Sequence, residues 1–313
     1  MWLKFGVSPA GELVGVDQVG RGKTKLTCLY CGGGLMARKG NQKQHHLAHT
    51  GETCNPVIHR VKTKAFPSLP LYDNFLIQLK GEELERLKVL WREYGRERRP
   101  IPKDLTEFRW ILKGLMAGEK PSGHGSAYRN FCQFTNQGRI PVGSLPLGKF
   151  NQVQEPMLLE ELEKLERSAG VALAAGLDCA SERRADLEIY RAQLRRILLN
   201  SLYFLEVTAD GQLFHKIGIT TRPIEQRIKE VERDMRSHFS EATVELLGLW
   251  QHRGNVELYF KHRYQRFNFP IGTLTEYFRF PKVEPVLRDL NGMAPKVLSA
   301  VEWKVLGGDS LTA

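Results

Sequence analysis

The chain reads as a multidomain α+β protein, and three observations carry that reading. A cysteine- and glycine-rich N-terminal stretch with short strand patterns comes first; charged segments of helical period follow; from Ser201 the pattern becomes strand, turn, strand, helix. The boundaries fall at 1–64 for a small β-rich metal module, 65–200 for a mainly helical middle region, 201–290 for an α/β sandwich domain and 291–313 for a tail. The last domain is expected to hold a three-stranded antiparallel sheet flanked by helices.

A chain of 313 residues has room for two or three cores. Hydrophobic content of 42% and charged content of 26% are ordinary for a globular protein. No run of eighteen apolar residues occurs, and the N-terminus lacks a basic-then-apolar leader pattern, which points to a cytoplasmic protein with no membrane role and with reduced cysteines. Net charge is +11, and residues 1–64 carry ten Lys/Arg against three Asp/Glu. A basic excess gathered at one end favours a polyanionic partner, of which nucleic acid is the commonest. Gly-rich phosphate loops, Gly-x-Ser-x-Gly, His-Glu-x-x-His and nucleotide-kinase signatures are missing, so no nucleotide cofactor is expected. No coiled-coil heptads specify an oligomer.

In the first module, residues 3–17 read as two short strands around a Pro-Ala-Gly-Glu turn. Three of the five cysteines lie close together: Cys28 and Cys31 in Cys-x2-Cys spacing, then Cys54. Two thiolates at that spacing can face one ion from a tight turn, and Gly32, Gly33 and Gly34 supply the open backbone. The preferred set is Cys28, Cys31, His49 and Cys54, with His46 as the alternative fourth ligand; four protein ligands leave no open position, so the implied zinc is structural. Lys23, Lys25, Arg38, Lys39 and Lys43 surround this site. Arg21-Gly22, the Cys28/Cys31 knuckle and His46-Leu47-Ala48-His49 resemble the N-terminal region of competence-type CoiA-like proteins over about fifty residues, a resemblance that implies a zinc module and says little about activity.

In the middle region, apolar stripes predict helices over 82–99 and 104–117, and further helical patterns fall at 156–168 and 182–199. Between them, residues 118–155 interleave Arg129, Arg139 and Lys149 with Tyr128, Phe131, Phe134 and Phe150, a mixture that suits either nucleic-acid contact or a small core. Cys132 and Cys179 read as buried thiols.

From Ser201, strands over 201–208 and 212–219 flank an Ala209-Asp210-Gly211 turn. A helix over 223–237 with Pro223 in its first turn and Thr220 or Thr221 as cap presents Ile224, Ile228, Val231 and Met235 on one face. A strand at 242–251, a helix at 254–267, a short strand at 275–280 and a helix at 283–290 complete the order. His215 reads as exposed. This order, with Tyr203, Lys216-Ile217-Gly218, Arg227, Glu257 and Glu276-Tyr277-Phe278, resembles the GIY-YIG endonuclease superfamily, in the branch whose second tripeptide is Lys-Ile-Gly. The branch's histidine four residues after the glutamate is Lys261 here.

The resemblance implies catalytic roles for Tyr203, Lys216, Arg227 and Glu257. The chemistry agrees: one carboxylate, Glu257, can hold Mg²⁺ or Mn²⁺, Arg227 suits a grip on the scissile phosphate, and Tyr203 with Lys216 can orient or deprotonate a water. Arg222, Arg253, His262, Arg263 and Arg266 are candidates to line a groove for DNA, double-stranded in the leading reading. The expected function is a metal-dependent DNA endonuclease, in a mobile-element, restriction or phage-defence setting. The alternatives are a nucleic-acid-binding protein that does not cut, and a zinc-bearing interaction protein docking an acidic partner.

Overall fold

A computed structural model describes residues 2–40, 44–63, 65–73, 79, 81–118 and 131–307. Lys43, Tyr128 and Arg129, singled out in the sequence, lie outside the described residues. The fold is mixed α+β with three antiparallel sheets. It divides into two compact units: Met1–Leu69, Leu158–Arg195 and the residues from Trp303 onward form one, Pro70–Met157 and Arg196–Glu302 the other. No described helix is long and apolar enough to cross a membrane.

The N-terminal strands are β1 (Phe5–Val7), β2 (Leu13–Gly15), β3 (Gly22–Thr27), β4 (Gly34–Arg38) and β5 (His46–His49), followed by helix α1 (Asn55–Thr63). They form one sheet in the order β2-β1-β3-β4-β5. The turn from β1 to β2 closes where Gly11 adopts φ +80°, a conformation glycine reaches without steric cost. Alternation along β4 and β5 sends Leu35, Ala37 and Leu47 inward onto Leu3, Val16, Leu26 and Val57.

Next come α2 (Gly81–Glu93), β6 (Ile101–Pro102), α3 (Phe108–Leu112), β7 (Met116–Gly118), β8 (Phe131–Phe134) and α4 (Asn136–Arg139). The middle region is therefore less helical than its sequence suggests, since β6, β8 and β7 form a small antiparallel sheet. The helix expected over 104–117 shrinks to α3 because Gly114 takes φ +69° and turns the chain into β7. Phe108 and Leu112, which lie on the apolar stripe of that segment, are each 72% exposed. Two long helices follow, α5 (Leu147–Ala174) and α6 (Ala180–Leu199). The first begins nine residues ahead of the expected start and carries Pro156 inside it. Of the two thiols read as buried, Cys132 is buried and Cys179 is half-buried.

The C-terminal elements are β9 (Ser201–Ala209), β10 (Gln212–Thr220), α7 (Ile224–Arg236), β11 (Ala242–Trp250), α8 (Glu257–Arg263), β12 (Tyr277–Phe278), α9 (Glu284–Asn291) and α10 (Ala300–Leu306). Asp210 and Gly211 both have positive φ (45° and 73°), the signature of a two-residue hairpin turn between β9 and β10. The sheet runs β11-β9-β10-β12, one short strand wider than expected. Both of its faces are covered. Tyr203, Leu205, Val207 and Phe214 pack on Val231 and Met235 of α7. Leu202, Phe204 and Ile217 pack on Phe150, Tyr259, Phe260 and Leu290. A strand buried on both faces needs a nearly continuous apolar run, which β9 supplies.

This double cover corrects the reading of His215, which is 1% exposed, stacks on Phe204 at a ring separation of 5.6 Å and meets the tilted Phe280 ring at 5.4 Å. The cap of α7 also differs. Pro223 itself is the N-cap, and the Thr220 hydroxyl instead accepts from the Arg222 amide at 2.9 Å.

Candidate active site and metal centre

Tyr203 on β9 lies directly opposite Gly218 on β10. A Cβ added at 218 would come within 2.3 Å of the Tyr203 hydroxyl, so glycine lets the ring lie across the neighbouring strand. From the start of α7, the Arg227 Nε donates to that hydroxyl at 3.0 Å, and its Nη1 pairs with Glu230 at 2.7 Å. Glu230 also holds Arg222 at 2.6 Å. Burial raises the Tyr203 pKa, and the Arg227 contact offsets only part of that. Burial alone would loosen the Arg227 proton, but Tyr203 and Glu230 outweigh it, so the guanidinium stays charged.

Lys216 stands two residues before Gly218, with its ammonium 4.5 Å above the Tyr277 ring and 3.3 Å from Glu276. Its pKa is lowered, first by burial and then by the charges of Arg227 and Lys261, with Glu276 opposing. Glu257 opens α8, and its carboxylate receives the Lys261 ammonium at 3.0 Å. The same ammonium reaches Glu276 at 2.6 Å. The result is a chain of alternating charge: Lys216, Glu276, Lys261, Glu257. Burial raises the Glu257 pKa against the pull of Lys261. Burial also acts to raise that of Glu276, but its two lysines win and lower it. Tyr203 feels the charges of Glu276 and Glu257, and Lys216 that of Arg227, so the two groups share one electrostatic site. For a hard cation, the Glu257 and Glu276 oxygens are suitable donors, with the Lys261 ammonium standing between them.

The five residues expected to line a groove divide. Arg222 and Arg266 are exposed. Arg253 is 5% exposed and is spent on Glu155 and the Ala294 carbonyl. His262 faces the Pro141 carbonyl at 2.8 Å, and Arg263 pairs with Asp289 at 2.6 Å. These three serve as internal fastenings: Arg253, ahead of α8, and His262 and Arg263, at its end, are taken up by carbonyls and carboxylates of the protein rather than an open face. Glu276 and Lys261 were visible in the sequence only as a motif match and a departure from it.

In the other unit, the ligand atoms of Cys28, Cys31, His49 and Cys54 all lie within 4.8 Å of one another, an arrangement that can hold a metal ion. The knuckle is built by backbone: the Gly32 amide donates to the Cys28 carbonyl and the Cys28 amide to the Gly33 carbonyl, each at 2.8 Å, with Gly32 at φ +72°. Cys31 Sγ is 3.3 Å from His49 Nε2. His46, the alternative ligand, is drawn away by the Gln44 carbonyl at 2.9 Å and stacks on Trp2. Burial, above all, pushes the Cys28 thiol up to about 12, a cost that a coordinated cation removes. Three sulfurs and one imidazole form a soft four-ligand donor set, which suits a metal such as zinc.

Sequence reading missed the fastening behind this knuckle. Tyr30 donates to Asp186 of α6 at 2.6 Å, while Arg60 of α1 grips Asp186 at 3.0 and 2.8 Å, reaches Glu182 at 2.9 Å and lies 4.5 Å over the Tyr30 ring. The one signal available was the four-residue spacing of Glu182 and Asp186 on a helix. Comparison with protein-family models, with curated proteins and with solved structures finds no match for this chain.

Proposed function

We propose that the chain is a metal-dependent endonuclease of GIY-YIG type that hydrolyses DNA phosphodiester bonds. The observation that carries this reading is the Tyr203–Arg227 hydrogen bond at 3.0 Å beside the Lys216–Glu276–Lys261–Glu257 chain, with Tyr203 and Lys216 on neighbouring strands β9 and β10 and the other residues supplied by α7, α8 and the residue before β12. Arg227 cannot lose its proton and offers a planar fork to the phosphate, stabilising charge as it develops there. The Tyr203 hydroxyl, fixed by Arg227, orients the attacking water; Lys216, its pKa lowered, serves as partner in moving the water's proton. A divalent cation bound at Glu257 would supply Lewis-acid relief of charge on the phosphate oxygens. The Cys28/Cys31/His49/Cys54 cluster holds structural zinc in this reading, and the basic N-terminal module adds affinity for the polyanion.

A second reading, recognition of nucleic acid without cutting, is favoured by the lysine already seated on Glu257. The discriminating experiment is nicking of supercoiled plasmid in Mg²⁺ or Mn²⁺ by the wild type, Glu257→Ala and Arg227→Ala. The nuclease reading expects cutting that falls by roughly 100-fold or more in both variants, the scale of losing a transition-state contact. No cutting by any version, with a salt-sensitive gel shift retained, would sink it in favour of the second reading.

A further inference from the structure

We infer that Lys261 is a built-in competitor for the divalent cation, its ammonium occupying the Glu257–Glu276 carboxylate pair until it is displaced. The inference takes from the proposed nuclease reading only that Glu257 is the cation's carboxylate. It stands on geometry. Lys261 follows Glu257 by one helical turn, so the two side chains project from the same face of α8 and meet at 3.0 Å. Glu276 arrives next to β12, on a different element, and closes the other side of the same ammonium at 2.6 Å. A cation bridging both carboxylates would have to lie where this nitrogen lies.

Charge counting gives the consequence. The two carboxylates already meet two ammonium groups, because Lys216 binds the second oxygen of Glu276 at 3.3 Å. The cluster is neutral as it stands, and a divalent ion entering beside Lys261 would leave it at plus two in a largely buried place. If Lys261 leaves, the cluster carries plus one, shared with the phosphate that the ion is there to neutralise. Departure is sterically open to Lys261 but not to Lys216: their side chains are 26% and 7% exposed. A lysine stem has four rotatable bonds and reaches solvent without moving the helix. Burial works against a lone charge here, so the pair persists in the absence of a stronger ligand for the carboxylates. The phosphate of a bound polyanion shifts this balance, since it gives the displaced ammonium a new partner. Metal uptake and substrate binding are thereby coupled through one side chain.

The test is Mn²⁺ binding to the full, zinc-loaded chain, read from the free-ion electron paramagnetic resonance signal. Lys261→Met keeps the length of the stem and removes the charge; Lys261→Gln is a second variant with a polar end. Both are expected to bind Mn²⁺ roughly tenfold or more tightly than the wild type, the scale of removing a like charge a few ångströms from an ion. Adding Glu257→Gln to Lys261→Met should return affinity to the wild-type level or below. Equal or weaker Mn²⁺ binding in both lysine variants overturns the inference. So does plasmid cutting by the wild type in excess chelator that Lys261→Met loses, since Lys261 would then replace the ion rather than exclude it. The two proposals fail separately. Tighter Mn²⁺ binding with no cutting by any version keeps the competitor and removes the nuclease; metal-dependent cutting with unchanged affinity does the reverse.

Discussion

Gly218 shows how one absent methyl group arranges a site. Its partner across the ladder is Tyr203, whose hydroxyl and ring carbon would sit 2.3 and 2.5 Å from a new Cβ. Both are backed by the α7 core, so the ring cannot retreat freely. Gly218→Ala should therefore cost about 1–3 kcal/mol, the range for overpacking, and break the Tyr203–Arg227 hydrogen bond. Denaturant unfolding checks this, and in a double-mutant cycle with Tyr203→Ala the two losses should not add, because removing the ring makes room for the methyl. A loss within about 0.5 kcal/mol for Gly218→Ala alone, the range of an ordinary surface change, would contradict the steric account. The sequence displays this glycine as one letter of a tripeptide. Its reason lies in the register between two strands, which no local pattern states.

Elements are where much of the chain was legible. The β9–β10 hairpin follows from a two-residue Asp-Gly turn between apolar runs, and α7 from its apolar stripe and initiating proline. The metal cluster was equally readable, since Cys-x2-Cys spacing fixes two ligands by local geometry alone. What escaped was set by distant partners: the β6-β8-β7 sheet, the early start of α5, and the Tyr30–Asp186–Arg60 fastening. That fastening makes a prediction at this scale. The knuckle carries Tyr30 between its cysteines, so metal loading positions the ring that Asp186 and Arg60 hold. Stripping the metal with a chelator should release one zinc per chain and destabilise the unit containing β1–β5 by several kcal/mol, less than the roughly 10–16 kcal/mol that binding structural zinc supplies to zinc-finger peptides, because this unit also has an apolar core of its own. Calorimetry would show the earlier melting, and Cys31→Ser should reproduce it without chelator. An unfolding profile that ignores both treatments would mean that the cluster has no structural role.

At the level of the whole molecule, pH sets a limit on stability that the sequence did not announce. Alternation places His215 and Ile217 on the face opposite Lys216, and a sheet with one wet face would expose that histidine. Helices cover both faces instead, and burial pushes His215 down to about 4 although Glu206 lies 3.6 Å away. The unfolded chain binds the proton near pH 6.5 and the folded chain only near 4, so stability falls as pH drops through that window. The full loss is about 3 kcal/mol, from 1.36 kcal/mol per pKa unit. Urea unfolding at pH 7.5 and 5 should show the decline, and His215→Phe, which keeps the aromatic stack, should flatten it. Parallel acid profiles for the two proteins would assign the loss to other groups.

The division of the chain has a temporal side. Each unit is assembled from separated stretches, since residues 158–195 belong with the N-terminal sheet and 70–157 with the later strands. A ribosome delivers the N-terminal strands and Cys54 some 130 residues ahead of Asp186, which Tyr30 and Arg60 must wait to meet. Phe150 likewise emerges well before Tyr259, the ring it stacks on at 4.3 Å. Neither unit can close in the order in which it is made, so the nascent protein holds two half-built cores side by side in time. Early ion capture by three cysteines and a histidine close in sequence is an ordering step that needs no later segment.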